Sequence, residues 1–362
     1  MNSYIKKYTK KELIEDTGRV SWTSPSNIAL IKYWGKHGKQ LPCNPSISFT
    51  LNESKTTMDF SWSIKDGGKD EIVLDFYFEN KKNEAFENKI RKFLEDNFEL
   101  FPFLKYLSLE IESTNSFPHS AGIASSASSM SALALGLCTI EDQAFDLNQS
   151  EEEILDKATY IARLASGSAS RSVFPGIVSW GKSDLEDIKS TDEKAATVEG
   201  IADVFKTYQD SIVIVDAGEK AVSSRAGHAL MEAHPFRDVR FKHANDQLAL
   251  LVEVMKSGDV DQFCEIVETE ALELHGLMMN SSPSYTLMRP NTLAVIEKIR
   301  AFRSETGLPI CFTLDAGPNV HILYPESIKN EINEFMINEL TPLAQGGLII
   351  HDKVGSGPER FL

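Results

Sequence analysis

The stretch Phe117-Pro118-His119-Ser120-Ala121-Gly122-Ile123-Ala124-Ser125-Ser126-Ala127 reads Pro-x-x-x-Gly-x-x-Ser-Ser-Ala and runs into a helix-forming segment, Ser128 to Cys138. Small residues let the backbone curl closely around a ligand, Pro118 stiffens the entry, and the free N–H groups and dipole of a helix start attract anions. Hydroxyls from Ser125 and Ser126 add donors, so the chemistry indicated is phosphate binding. A Ser/Ala-rich helix start packed on a sheet gives the same string, so this loop needs company to identify a site. Company is present. Lys32 and Lys36 stand four apart around Tyr33-Trp34-Gly35, and two close cations repel unless an anion lies between them. The run Ser166-Gly167-Ser168-Ala169-Ser170-Arg171-Ser172 offers hydroxyls and an arginine suited to bidentate contact with phosphate or carboxylate. Lys220, Ser224 and Arg225 make a further basic, hydroxyl-bearing cluster. Asp315 leaves the apolar run Ile310–Leu314 into Ala-Gly-Pro-Asn, where a carboxylate can point into a cleft as base or metal ligand, or simply start a turn. Hydroxyl loop, scattered cations and one poised carboxylate together suit an enzyme that handles at least two phosphorylated groups, with phosphoryl transfer as its natural reaction.

The elements that must carry these residues alternate irregularly. Arg19–Thr23, Ser46–Leu51, Met58–Trp62, Glu71–Phe78, Leu107–Ile111 and Gly176–Trp180 read as strands. Asn83–Phe98 and Ser125–Ile140 read as helices, and Ser150 with Glu153 forms a capping box opening another. Lys182–Lys194 reads as an exposed connection. Beyond it come a strand at Ser211–Val215, helices near Arg225–Glu232, Lys242–Lys256, Asp259–Met278 and Asn291–Thr306, and strands Pro309–Leu314 and Val320–Tyr324. Without a regular βαβ rhythm the class predicted is α+β rather than a doubly wound sheet.

Composition narrows the partners. A formal net charge of -16 disfavours nucleic acid and anionic membranes, so any polyanion site needs its own local cations. The four cysteines, Cys43, Cys138, Cys264 and Cys311, are scattered with no Cys-x-x-Cys pair, which indicates buried thiols in a reducing compartment. The Lys/Glu-rich start has no apolar signal region, and the location expected is cytoplasmic.

The Pro118-x-x-x-Gly122-x-x-Ser125-Ser126-Ala127 string resembles the phosphate loop of the galactokinase, homoserine kinase, mevalonate kinase and phosphomevalonate kinase (GHMP) superfamily. Within it, Asn27-Ile28-Ala29-Leu30-Ile31-Lys32-Tyr33-Trp34-Gly35-Lys36, Asn44-Pro45-Ser46-Ile47-Ser48, Gly167–Ser172 and Phe312-Thr313-Leu314-Asp315-Ala316-Gly317-Pro318-Asn319 are similar to the signatures of the diphosphomevalonate decarboxylase family, in the same order. The resemblance implies a GHMP-kinase-like two-lobed fold with its cleft between the lobes, 1–200 carrying the phosphate loop and 201–362 forming an α+β lobe. It implies ATP-dependent decarboxylation of mevalonate 5-diphosphate to isopentenyl diphosphate in isoprenoid (lipid) biosynthesis, with ATP and Mg²⁺ as cofactors and a homodimeric assembly.

By the same resemblance Asp315 orients the substrate's C3 hydroxyl and accepts its proton. Arg171 holds the substrate carboxylate and orients Asp315, and Lys220 lies near the transferred phosphate. Lys32, Tyr33, Lys36, Ser166, Ser168, Ser224 and Arg225 bind substrate, and Pro118, Gly122, Ser125 and Ser126 hold the nucleotide; metal ligands stay unassigned. Lys32, Lys36, Arg171, Lys220 and Arg225 should converge on one cleft facing Asp315. Three alternatives stay open on the residues alone: a decarboxylase of mevalonate 5-phosphate, a kinase that phosphorylates the C3 hydroxyl and stops, and a non-catalytic metabolite-binding protein.

Overall fold

In the computed structural model, which describes residues 3–65, 71–117, 125–218 and 222–361 less the side chains of Ser224 and Arg225, two long antiparallel strands frame the first half. Thr17–Ile31 and Ser46–Ile64 pair from Thr17↔Ser63 to Ile31↔Ile47. The strands expected at Ser46–Leu51 and Met58–Trp62 are thus one. The polar break Asn52-Glu53-Ser54 between them is bridged from far away: the Asp352 carboxylate accepts their N–H groups at 2.7, 2.9 and 2.8 Å. In the first strand the ladder is irregular between Pro25 and Asn27 and again between Ala29 and Ile31. Proline has no N–H to give the ladder, and such irregularities re-aim the side chains that follow.

Leu107–Asn115 pairs with the far half of the Ser46–Ile64 strand, and Ile177–Trp180 pairs with its near half. The helices Ser125–Phe145 and Glu151–Ala165 pack on this sheet through Val20, Phe60, Ile111, Leu133, Leu137 and Ile161. The first is buried on nearly every side, as a helix apolar all round should be. Gly136 lets it sit tightly: a Cβ there would stand 2.2 Å from the Phe60 ring. Ser150 and Glu153 form the expected capping box, each accepting the other's backbone N–H. The Lys182–Lys194 connection is less exposed than its charge predicted. Ile188 is buried in the core, and the Trp180 indole donates to the Asp192 carbonyl at 3.0 Å.

The second half is built on a four-stranded antiparallel sheet in the order Cys311–Thr313, Val320–Tyr324, Gln209–Val213, Ile349–Lys353. Helices Val260–Met279 and Pro290–Thr306 pack on it, and the glycines that follow Ser257 and Thr306 end their helices in the left-handed region at φ 82° and 70°. One apolar cluster joins the two sheets, with Ile28, Ile31 and Phe49 from the first and Ile212, Cys311 and Leu323 from the second. Phe49, Phe205, Tyr208 and Phe263 form its aromatic centre, with ring centroids 4.8–6.0 Å apart; each such pair adds about 0.5–1.5 kcal/mol beyond its burial.

The α+β architecture is as expected. The chain then returns to where it began: Val354 bridges Leu51, and Glu359–Arg360 pairs with Thr23 and Trp22. A division into 1–200 and 201–362 therefore leaves the last residues on the first sheet. Among the described residues no helix is long and apolar enough to cross a membrane.

Candidate active site

Lys32 follows the irregular end of the first strand, where the ladder has stopped. Its ammonium lies 3.1 Å from Asp315 Oδ1 and donates to the Ala29 carbonyl at 2.6 Å. The two residues are 283 positions apart in sequence. Lys32 is 2% exposed and Asp315 27%, so the pair is sealed on the lysine side and open on the carboxylate side. Burial pushes the Lys32 pKa down, and the Asp315 charge opposes that push. Asp315 itself leaves the Cys311–Thr313 strand at its end, and its main-chain carbonyl accepts from His275 Nε2 at 3.1 Å.

Arg171 is the second buried cation. Its Nε donates to Ser48 Oγ (3.0 Å), Nη1 to Ser46 Oγ (2.7 Å) and Nη2 to Asn27 Oδ1 (3.2 Å). These partners are neutral. Burial lowers the guanidinium pKa to about 10, with the Asp315 charge pulling the other way, so it stays charged at neutral pH. The link between Arg171 and Asp315 is one of charge. Lys32 forms an ion pair with Asp315, whereas the guanidinium hydrogen bonds run to Asn27 and the two serines and its charge reaches Asp315 through space. The geometry differs: Lys32 follows the irregular end of its strand and reaches Asp315, while Ser46 and Ser48 hold Arg171 against the first sheet.

Tyr33 packs between Trp180 (ring centroids 4.7 Å) and His228 (4.3 Å), and its hydroxyl is buried without a hydrogen-bond partner among the described residues. Gly167 makes this possible, since a Cβ there would stand 2.7 Å from Trp180 and 3.0 Å from the Tyr33 hydroxyl. Gly35 sits at φ +99°, a conformation side chains resist, and donates its N–H to His228 Nδ1 at 3.0 Å. Burial, aided by the Lys36 charge, drives the His228 pKa down to about 3, so the ring is neutral and Nδ1 is the acceptor. Lys36 binds Gln40 Oε1 at 2.7 Å.

The remaining expected residues divide. Ser166 closes the Glu151–Ala165 helix and Ser168 lies in the turn after it, its carbonyl accepting from Asn27 at 3.1 Å; both are half-buried. Ser125 and Ser126 open the long buried helix as expected, with Ser126 exposed and the Ser125 carbonyl accepting from the Ser128 and Ser129 hydroxyls. Ser224 and Arg225 begin the helix Ser224–Leu230, which lies against Trp34 through Gly227; their side chains lie outside the described residues. Pro118, His119, Gly122 and Lys220 also lie outside them. Of the five cations expected to converge, Lys32 pairs with Asp315, Arg171 acts on it through space, and Lys36 stands near His228; Lys220 and the Arg225 side chain lie outside the described residues.

A pocket of about 360 Å³ opens beside this loop, lined by His37, Cys43, Asn44, Lys182, Arg237 and Phe241 among others. None of Lys32, Arg171 or Asp315 lines it, whereas Asn44, which binds the Lys32 carbonyl, does.

Residues that no functional role had been assigned to turn out to build the centre. Asn27, Asn44, Ser46 and Ser48 lie inside the motif blocks already quoted, so the signal was present without a role. Glu270, which accepts the Lys32 N–H, Arg240, which donates to the Lys32 carbonyl, and His275 had no sequence signal, because each reads as an ordinary helical residue.

The arrangement can hold anionic groups over a buried pair of cations, with a carboxylate at the open edge. Two family models match the chain: the diphosphomevalonate decarboxylase-like N-terminal domain over residues 24–192 and the mevalonate 5-diphosphate decarboxylase C-terminal domain over residues 211–353. The diphosphomevalonate decarboxylase of Ganoderma lucidum is 32% identical over 342 residues, covering 87% of this chain and 80% of its own. That of Saccharomyces cerevisiae is 30% identical over 334 residues, with coverage of 87% and 80%. Among solved structures, mevalonate diphosphate decarboxylase from Staphylococcus aureus superposes with a TM-score of 0.81 at 28% identity, covering 97% of this chain and 100% of that one. The complex of MDDEF with MVAPP, AMPPCP and magnesium gives a TM-score of 0.80 at 28% identity, covering 95% and 99%.

Proposed function

Because this chain belongs to the diphosphomevalonate decarboxylase family, we propose that it converts mevalonate 5-diphosphate and ATP into isopentenyl diphosphate, carbon dioxide, ADP and phosphate. The observation that carries this reading beyond family membership is the buried Lys32–Asp315 pair with the Arg171 charge behind it, assembled from both halves of the chain.

The substrate's C3 hydroxyl is tertiary and a poor leaving group. Asp315, with Oδ1 held by Lys32 and an exposed edge, orients that hydroxyl and accepts its proton as the γ-phosphoryl group of ATP is transferred. Departure of the new phosphate leaves positive charge at C3, and the electrons of the carboxylate bond flow into the alkene as carbon dioxide leaves. Arg171, aimed by Asn27, Ser46 and Ser48, binds the substrate carboxylate before that step. The Asp315 charge steadies the developing cation, and Lys32 stays tied to Ala29 and Asp315 rather than reaching toward C3.

Tyr33, Lys36, Ser166, Ser168, Ser224 and Arg225 take the diphosphate end, and Lys220 the transferred phosphate. Pro118, Gly122, Ser125 and Ser126 take the nucleotide. Ser125 and Ser126 fit that task in chemistry: hydroxyls at the start of a 21-residue helix, whose dipole favours phosphate. The MDDEF complex with AMPPCP and magnesium supports ATP with Mg²⁺ here, the ion supplying charge neutralisation between the phosphates. A homodimeric assembly rests on the resemblance, and a cytoplasmic location on the scattered cysteines and the Lys/Glu-rich start.

The deciding experiment incubates the protein with ATP, Mg²⁺ and each of mevalonate, its monophosphate and its diphosphate, following carbon dioxide and ADP separately. Both products from the diphosphate are expected. ADP without carbon dioxide would make the protein a kinase, and neither product would remove the enzymatic reading.

A further inference from the structure

Lys32 lies beyond the ladder of its strand, so its own N–H and C=O need partners from elsewhere. Two later helices provide them. Glu270, on the Val260–Met279 helix, accepts the Lys32 N–H through Oε2 at 3.0 Å. Arg240, on the Arg237–Ser257 helix, donates Nη2 to the Lys32 carbonyl at 3.1 Å, and Asn44 adds a second donor at 3.0 Å. Glu270 and Arg240 are joined to each other by two bonds, 2.6 Å and 2.7 Å, and are 0% and 3% exposed. A buried ion pair is a weak source of stability, and apolar residues of the same volume would pack as well. What apolar residues could not do is bind a main-chain N–H and the carbonyl of the same residue. The same Val260–Met279 helix also presents His275, whose Nε2 bonds the Asp315 carbonyl. One rigid helix therefore touches the backbone of both members of the Lys32–Asp315 pair.

We propose that Glu270, braced by Arg240, is a positioning residue for the reaction: it sets the height of the Lys32 backbone, and through it the placement of the ammonium against Asp315. This rests on Lys32 and Asp315 working as the reacting pair described above. The Glu270 charge also favours the Lys32 ammonium against the pull of burial. A displacement of about 1 Å at such a site can cost about 100-fold in rate.

The test compares Glu270→Gln with Glu273→Gln in the full-length protein. Glu273 is the other carboxylate on Arg240, at 2.9 Å, and bonds Arg240 and His243 rather than the Lys32 backbone, so it controls for loss of a charged partner alone. Glu270→Gln should lower kcat by about 10- to 100-fold while KM for ATP and for the substrate stay within about threefold. Glu273→Gln should leave kcat within about twofold. In a Lys32→Arg background the Glu270→Gln loss should shrink at least about tenfold, since both changes act on one placement. Should Glu270→Gln fail to fold, Glu270→Asp keeps the charge, withdraws the carboxylate by one methylene, and should show the same kcat-only loss and the same coupling. Equal kcat effects from the Glu270 and Glu273 variants, or losses that multiply, would overturn the proposal. If Lys32→Arg alone turned over at the normal rate, the reading of the site would fall instead.

Discussion

Of two lysine–carboxylate pairs with a buried lysine, one lies within the first half of the chain and the other joins both halves. Lys157 and Glu141 face each other across adjacent helices, 3% and 0% exposed, and the Tyr8 hydroxyl donates to the other carboxylate oxygen at 2.9 Å. Lys32 and Asp315 have an equally buried lysine, but the carboxylate is 27% exposed and the lysine's remaining bond goes to a carbonyl three residues back. The first pair is closed, each charge answered inside the fold. The second keeps its carboxylate 27% exposed, within reach of something that arrives. Burial of a charge is thus no sign of function by itself; a paired charge with an accessible edge is.

That contrast can be broken most directly at Asp315. Asp315→Asn keeps shape and removes the proton acceptor, so kcat should fall by about 100- to 10,000-fold, with substrate affinity within about tenfold. Thermal unfolding of the same variant should move little. Normal turnover would place the chemistry elsewhere.

At the closed pair the consequences should be reversed. Glu141→Gln leaves Lys157 buried with its charge unanswered and should cost about 3–5 kcal/mol in urea unfolding, while the fraction still folded keeps kcat within about twofold. Replacing both partners together, as Glu141→Leu with Lys157→Met, should recover most of that loss. A double variant no more stable than the single would mean the pair contributes more than mutual neutralisation.

The smallest effect sharpens the open side. His228 packs on Tyr33 and Trp34, and its folded pKa of about 3 lies below the ordinary 6.5. Between those values the unfolded chain takes up a proton that the folded chain refuses, so acid favours unfolding. Stability is full above about pH 6.5 and is lost at about 1.4 kcal/mol per pH unit as pH falls toward about 3. His228→Gln should flatten that part of the profile, read as melting temperature from pH 7 to 4. An unchanged slope would assign the acid sensitivity to other groups.

Much was legible from local pattern. The Ser150–Glu153 capping box, the helix opening at Ser125 and the turn beginning at Asp315 each depend on neighbours a few residues apart, so spacing alone reports them. Single residues that break or end an element were harder to weigh. Asn52-Glu53-Ser54 suggested a gap between two strands because the carboxylate that satisfies their N–H groups belongs to Asp352, about 300 residues later.

Residue types and their order in the chain determined the class of fold, the family and most of the candidate site, because a phosphate loop, a Gly/Ser turn with an arginine and an Asp-Ala-Gly-Pro-Asn turn each need only their own neighbours to take shape. Tertiary structure alone decided which cation meets Asp315. Lys32 and Arg171 are both close candidates in sequence terms, and the choice turns on the irregular end of the strand before Lys32, the grip of Ser46 and Ser48 on the arginine, and the seat that Glu270 and Arg240 make for the Lys32 backbone. Those contacts join residues more than 100 positions apart, and their distances follow from how two sheets and their helices pack, which no local pattern encodes.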